Sequence, residues 1–429
     1  MDVEKYLNTF FKGTKDPSLD AMAYFMKEYG NFEKEMKFIH IAGTNGKGSC
    51  IEMISNILVC QGYKVGKFLS PHLIKYNERI NINGKDISDE EMTELIEELK
   101  PKIDFYEKER KTKITLFELE TTIALLYFYK NNVDFVVLET GLGGLYDCTN
   151  IISRPLVSLI TSIGYDHMHI LGNTLPEIAY QKAGIIKANS NTVFFEQEEE
   201  INKVFKDECE KKNNKLHLIK QTDIKNYSYD KDFQYFDYKE LERIEVKLKG
   251  IKQINNTSLC IETIKTLNEL GYNISENSIR KGIKTVIHRG RMEILKENPL
   301  IIFDGAHNEP AIKNLQQTID MYYKNYSKKY IISILKTKDA DKILSILQNN
   351  DENSTFILTS GNGEEKYNSS EELYKIALKY KKENQKILMK NLDEALEKVL
   401  EDTNEKNVNF VIGSFYVYGK VYEKIKLGI

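Results

Sequence analysis

The sequence predicts an α/β protein of two domains, a larger N-terminal one around a mainly parallel sheet and a smaller, doubly wound C-terminal one. The 429-residue length allows two or three domains, each with a core of its own. Short β-rich apolar runs alternate with longer helix-period segments, the pattern of parallel strands covered by helices. Several of these runs end in glycine turns, where ligands sit in open α/β sheets. With 41% hydrophobic and 29% charged residues, 24 Gly and 7 Pro, the composition is that of a globular protein and not of a disordered or collagen-like chain. Lys plus Arg (61) nearly balances Asp plus Glu (64), so no basic field gathers nucleic acid or an anionic membrane. Any anion must be held locally.

Along the chain, KFIHI (37–41) reads as a strand, followed by a glycine-rich turn and a helix from about Ser49 to Gln61. A loop-rich stretch from Ser70 to Ile87 leads to a helix opening with Ser88-Asp89-Glu90-Glu91, and a second helix covers Leu116 to Lys130. FVVLETG from Phe135 and LVSLITSIG from Leu156 read as fully buried strands, both ending in glycine turns. After Lys187 the sequence turns polar and mixed, with KDFQYFDYKE and IEVKLKG as strands of a peripheral sheet. From Leu300 the alternation is regular: LIIFD, YIISIL, TFILTS, KILM and NFVIG, each followed by a helix. We place the domains at 1–288 and 297–429, with residues 289–296, at the basic HRGR cluster, as the linker. The start, MDVEKYLNTFFKGTKD, lacks the order of a secretory signal, and no apolar run reaches the roughly 18 residues of a spanning helix. Cysteines 50, 60, 148, 209 and 260 form no CxxC pair. A cytoplasmic protein with no membrane partner is expected.

The strongest local signal is Gly43-Thr44-Asn45-Gly46-Lys47-Gly48-Ser49 between a strand and a helix. Glycines let backbone N–H groups wrap a phosphate, Lys47 reaches the β/γ-phosphates, and Ser49 can face Mg²⁺. The first domain is therefore of the P-loop ATPase type. The turn departs from GxxxxGK[ST], because Gly48 separates Lys47 from Ser49 and position 41 is not glycine. A second set stands at strand ends: Glu139, then Asp166 and His167. Taken singly, each is more often a helix cap or a satisfied core group. If their strands neighbour the phosphate-loop strand, Glu139 and His167 occupy a divalent-metal position. The third set is Asp304-Gly305-Ala306-His307-Asn308 with Arg291 before it, residue types that suit a nucleotide or carboxylate in an interdomain cleft. His40 and His217 read as core or surface residues.

These residues resemble a family, folylpolyglutamate synthase with the bifunctional dihydrofolate synthases, within the Mur ligase superfamily. The matching segments are HIAGTNGKGS (40–49), SPHL (70–73), NERININGKDIS (77–88), LETGLGGLYDCTN (138–150), TSIGYDHMHILGNTLPEIAYQKAGIIK (161–187), GR (290–291), FDGAHN (303–308) and GSFYVYG (413–419). They run in family order over nearly the whole chain. The resemblance implies a P-loop domain followed by a Rossmann-like one, with Gly43 to Ser49 on the ATP phosphates and Ser49, Ser70, Glu139 and His167 holding one or two Mg²⁺. Lys182 corresponds to a lysine that is carbamylated in this family. Asn256, Arg291 and Asp304 match nucleotide-contacting positions, and Asp304 and His307 lie near the incoming amino acid. Glu78 and Arg79 in the NERI segment, with His307 and Ser414, are the implied substrate residues; Tyr416 is a further residue of the C-domain cleft. Lys47, Lys182 and His307 are the implied catalytic residues. K⁺ is a further implied cation. The family's usual His-Gln is replaced by Lys252-Gln253, and its Trp-Pro by His288-Arg289.

The resemblance implies an ATP-dependent amide ligase acting as a monomer on small molecules. A pterin-linked carboxylate of folate or dihydropteroate takes the γ-phosphoryl group, and L-glutamate displaces phosphate from the resulting acyl phosphate. Catalysis of this kind is mainly positioning and electrostatics. The rivals are a muropeptide-type ligase with the same chemistry and a non-catalytic nucleotide-binding module.

Overall fold

The computed structural model describes residues 3–12, 18–363 and 365–428, so parts of the N-terminal stretch read above, residues 1–2 and 13–16, lie outside it. The chain divides into two compact units, one of Met1–Lys247 with Gln253–Val286, the other of Leu248–Lys252 with Ile287–Ile429.

The first unit is built on eight strands: β1 (Phe38–Ala42), β2 (Val65–Phe68), β3 (Ile80–Ile82), β4 (Lys85–Asp86), β5 (Phe135–Glu139), β6 (Val157–Ile160), β7 (Asn191–Phe195) and β8 (Lys215–Ile219), in the order β4-β3-β2-β5-β1-β6-β7-β8. Every residue of β1, β5 and β6 is buried, as expected for strands covered by helices on both faces. β1 lies between β5 and β6, parallel to both, with Ile41 beside Glu139 on one side and Leu159 on the other. The ends of all three strands therefore meet at one edge. β3 and β4 turn back as an antiparallel border. β7 and β8 extend the sheet with parallel pairing, whereas the sequence reading left this region without strands of the main sheet. The polar composition of β8 follows from position, since it is an edge strand with one fully buried residue, whereas β7 lies inside the sheet and is buried from Thr192 onward.

Helix starts are marked by reciprocal caps that the sequence carries openly. Ser88 with Glu91 opens Asp89–Arg110, Thr115 with Glu118 opens Leu116–Lys130, and Thr174 with Glu177 opens Leu175–Ala183. Pro101 lies inside the first of these helices without ending it. The peripheral sheet is the antiparallel β9 (Ile224–Tyr229), β10 (Gln234–Tyr238) and β11 (Leu241–Val246).

The second unit holds β12 (Glu293–Glu297), β13 (Leu300–Asp304), β14 (Ser327–Ile332), β15 (Thr355–Leu358), β16 (Lys386–Met389) and β17 (Asn407–Ile412), ordered β12-β13-β17-β14-β15-β16. All pairs are parallel except β12 with β13. The segment expected as a linker thus contributes a strand to this sheet. In the core, Tyr330 stacks between Phe356 (5.2 Å) and Phe410 (5.5 Å), contacts worth about 0.5–1.5 kcal/mol each beyond their burial. Among the described residues no helix is long and apolar enough to cross a membrane.

Candidate active site

Beyond Ala42 the chain turns through Gly43 (φ +152°) and Gly46 (φ +96°), and the helix Lys47–Gln61 begins. Neither glycine has room for a side chain. A Cβ on Gly43 would stand 1.7 Å from Thr161 Oγ1, and one on Gly46 would stand 2.6 Å from Asn256 Oδ1. The turn is tied to the end of β6. Thr44 N–H donates to Ser162 O (2.7 Å), the Thr44 hydroxyl donates to Gly164 O and accepts from Gly164 N–H (both 3.1 Å), and Ser162 Oγ–H donates to Asn45 O (3.1 Å). A rigid turn feeding a helix N-terminus presents backbone donors and positive potential to an anion.

Charged groups converge on the same turn. Lys47 Nζ donates to Gly43 O at 3.1 Å and stands 3.8 Å from Glu139 Oε1. The other oxygen of Glu139 accepts from Ser70 N–H at 2.9 Å. Lys182 is buried, and its Nζ donates to Gly43 O at 2.9 Å. Burial pulls its pKa down to about 7, helped by the nearby Lys47 charge and opposed by Asp166 and Asp147. Ser49 is also buried, its hydroxyl accepting from Gln253 Nε2 (3.2 Å), while Asn256 Nδ2 donates to Gln253 Oε1 (3.0 Å). The turn, Ser70, Glu139, Lys182 and Asn256 therefore form one site. His167 follows β6 in a left-handed conformation (φ +49°), its Nε2 3.7 Å from Asp166.

The implied metal residues supply a carboxylate, two serines and an imidazole, and among the described residues no group of three His, Cys, Asp or Glu side chains is arranged around a metal position. The carboxylate and serine oxygens of this sparse set are hard donors that fit Mg²⁺, which keeps several waters and takes phosphate oxygens as ligands.

Glu78 and Arg79 have partners within the first unit. The Glu78 carboxylate accepts from the N–H groups of Leu73, Ile74 and Lys75 at 2.8–3.1 Å. Arg79 donates from Nη1 to Glu120 Oε2 (2.6 Å) and from Nε to His72 Nδ1 (2.9 Å). Burial pushes the Glu120 pKa up to about 7 against the Arg79 charge, and burial beside Arg79 pulls His72 down to about 3.

In the second unit, the remaining sequence candidates gather around Phe415. The Arg291 guanidinium lies 4.4 Å from the centre of that ring, and the His307 ring 5.9 Å from it. Asp304 is buried and accepts from Met292 N–H (2.9 Å) and Ala306 N–H (2.8 Å); burial raises its pKa against the Arg291 charge. His307 Nδ1 lies 2.7 Å from Gly305 O, a group that can only accept, so Nδ1 carries the proton and Nε2 the lone pair. Ser414 is buried, with its hydroxyl accepting from Tyr416 N–H at 3.2 Å.

Gln253, Glu120, Phe415 and Asp147 escaped the sequence reading as site residues. Asp147 had a signal, its place in the matching LYDCTN segment. It is buried and holds the turn after Glu139, accepting from Leu142 N–H (2.8 Å), Thr149 N–H (3.1 Å) and the Thr149 hydroxyl (2.5 Å). The Thr149 oxygen in turn accepts from His40 Nε2 at 2.8 Å, giving that core histidine a defined tautomer.

Residues 41–264 match the profile of the Mur ligase middle domain, and residues 289–424 that of the dihydrofolate synthetase C-terminal domain. A dihydrofolate synthase/folylpolyglutamate synthase of Bacillus subtilis is 37% identical over 354 residues, covering 81% of this chain and 82% of that one. The chain belongs to the dihydrofolate synthase/folylpolyglutamate synthase family. A family member of Escherichia coli is 32% identical, over 80% of this chain and 78% of its own. Folylpolyglutamate synthase from Mycobacterium tuberculosis, solved with ADP and AMPPCP, superposes with a TM-score of 0.89 at 25% identity, covering 99% of this chain and 97% of that one. FolC from Escherichia coli, solved with DHPP and ADP, gives 0.85 at 28% identity, over 99% and 97%.

Proposed function

We propose that this family member is an ATP-dependent ligase that joins L-glutamate to the carboxylate of a folate or a dihydropteroate, releasing ADP and phosphate. The observation that carries the reading is the Gly43–Ser49 turn with Lys47 between Gly43 O and Glu139, in a chain that matches the Mur ligase middle domain and then the dihydrofolate synthetase C-terminal domain. The C-terminal match is to a dihydrofolate synthetase domain, which favours the folate substrate over a muropeptide.

The substrate carboxylate oxygen attacks the γ-phosphorus, the bond to the bridging oxygen breaks, and ADP leaves. The turn N–H groups and Lys47 bear the phosphate charge through this step. The glutamate nitrogen then attacks the acyl carbon, phosphate leaves, and a proton leaves the nitrogen. His307 Nε2, the basic nitrogen of its tautomer, is our candidate to accept it. Asn256, Arg291 and Asp304 serve the nucleotide, and Glu78, Arg79 and Ser414 the remaining substrates. Ser49, Ser70, Glu139 and His167 would hold Mg²⁺, which when bound supplies neutralising charge at phosphate oxygens; K⁺ belongs to the same reading. Lys182 is held near neutrality by burial, the state in which an amine captures CO₂, and we assign it as a carbamate. The enzyme is taken to act as a cytoplasmic monomer.

The test is to incubate the protein with ATP, Mg²⁺ and glutamate, separately with dihydropteroate and with a reduced folate, and to weigh the products. A product heavier by one or more glutamyl residues, with ADP release that requires both substrates, is expected. ADP release that needs neither substrate would overturn the reading.

A further inference from the structure

Glu120 lies in the first half of the helix Leu116–Lys130 with its side chain 5% exposed, and no step above uses it. A carboxylate withdrawn from water is costly unless it is paired, so its partner matters. Oε2 receives Arg79 Nη1 at 2.6 Å, while Oε1 is buried with no hydrogen-bond partner among the described residues. The Arg79 guanidinium also meets His72 Nδ1 at 2.9 Å and the Tyr76 ring, 5.3 Å away, and the Arg79 carbonyl accepts from Leu69 N–H at 3.0 Å. The His72 and Tyr76 rings are themselves 4.3 Å apart.

These contacts close a strap over residues 70–79. Glu78 pins its middle through the amides of residues 73–75, and Arg79 anchors its end on Glu120. The other end is fixed at the active site, where Ser70 N–H donates to Glu139 Oε2. That bond decides which Glu139 oxygen is left toward Lys47, since Oε1 is the one at 3.8 Å. A carboxylate at a strand end has rotational freedom about its side-chain bonds, and a backbone donor on a tethered strap removes it.

We propose that Glu120 is a positioning residue for ligation, holding Arg79 so that the 70–79 strap keeps the Ser70 N–H on Glu139. The proposal rests on the assignment of Glu139 to the Mg²⁺–nucleotide site. It is distinct from that assignment, because among the described residues the hydrogen bond and ion pair of Glu120 go to Arg79.

The experiment compares the full chain with Glu120→Gln, Arg79→Ala and the double variant. The isosteric glutamine keeps the volume and an acceptor oxygen for Arg79 while removing the charge. Hydrogen exchange of the amides in residues 70–79 reads the strap, and the half-saturating Mg²⁺ concentration for ligation reads its consequence. Each single variant is expected to speed exchange in this segment alone and to raise half-saturating Mg²⁺ by roughly 10–100-fold, the range for residues that orient a metal ligand. The double variant should lose no more than the worse single one. Exchange at the parental rate in Glu120→Gln, losses that multiply in the double variant, or faster exchange with parental Mg²⁺ dependence would each overturn the proposal. Failure of the parent protein to ligate either substrate would instead overturn the functional reading beneath it.

Discussion

At the scale of single residues, the site is defined by two lysines that share one carbonyl. Lys47 and Lys182 both donate to Gly43 O, but of the two Lys182 is the buried one. Its pKa falls from the usual lysine value to about 7, so the unfolded chain binds the extra proton between pH 7 and 10.5. Folding stability then rises with pH across that window, and the cost of burying the ammonium is complete below pH 7. Lys182→Met is therefore expected to stabilise the protein by about 1–4 kcal/mol at pH 6, a gain that shrinks toward pH 10, checked by urea unfolding at several pH values. The same variant should lose most ligation, and in Lys182→Ala added bicarbonate or a short carboxylic acid should restore part of it, while Lys182→Arg should not substitute. Lys47→Ala is expected to lower turnover roughly 10²–10³-fold with an unchanged melting temperature, because its contacts are to the turn and to Glu139 and not to the apolar core. Full activity in either alanine variant would remove that lysine from the mechanism.

At the scale of elements, the glycine turn works because it is packed, not because it is loose. Gly43→Ala drives a methyl into Thr161, and we expect it to abolish ATP binding and to cost about 1–3 kcal/mol of stability, read by calorimetric titration and thermal melting. What was legible here was local. The turn, the helices opened at Ser88 and Leu116 and the five C-terminal strand–helix units each announce themselves within a dozen residues. Glu139 could be placed at a strand end by the same means, whereas His167, expected at the end of the next strand, lies beyond β6 as the residue before the short helix Met168–Leu171. That β5 and β6 flank β1 could not be read this way, because strand order depends on pairing between distant segments. Gln253 under Ser49 and Glu120 under Arg79 were invisible for the same reason, their partners being 204 and 41 residues away. β8 was missed because an edge strand with one fully buried residue leaves little hydrophobic alternation to read.

At the scale of the whole molecule, the division of the chain is not a single cut. Leu248–Lys252 belongs to the second unit although the sequence on either side belongs to the first. Gly250 holds this segment in place, with φ +109° and an absent Cβ that would come 2.6 Å from Thr318 Oγ1. Gly250→Ala is expected to lower the stability of the second unit by about 1–3 kcal/mol while leaving amide exchange in the β1, β5 and β6 core unchanged; equal losses in both units would refute the division. The central place of β1 has a bearing on how the protein is made. A ribosome releases the phosphate turn early, yet its supports, Glu139, Thr161 and Lys182, emerge more than ninety residues later, and closing such long loops is slow. If the turn holds the ATP phosphates as proposed, a nascent chain stopped before Lys182 would carry the whole GTNGKGS motif without these supports, and the site would be complete only after Asn256, which packs against Gly46, has also emerged.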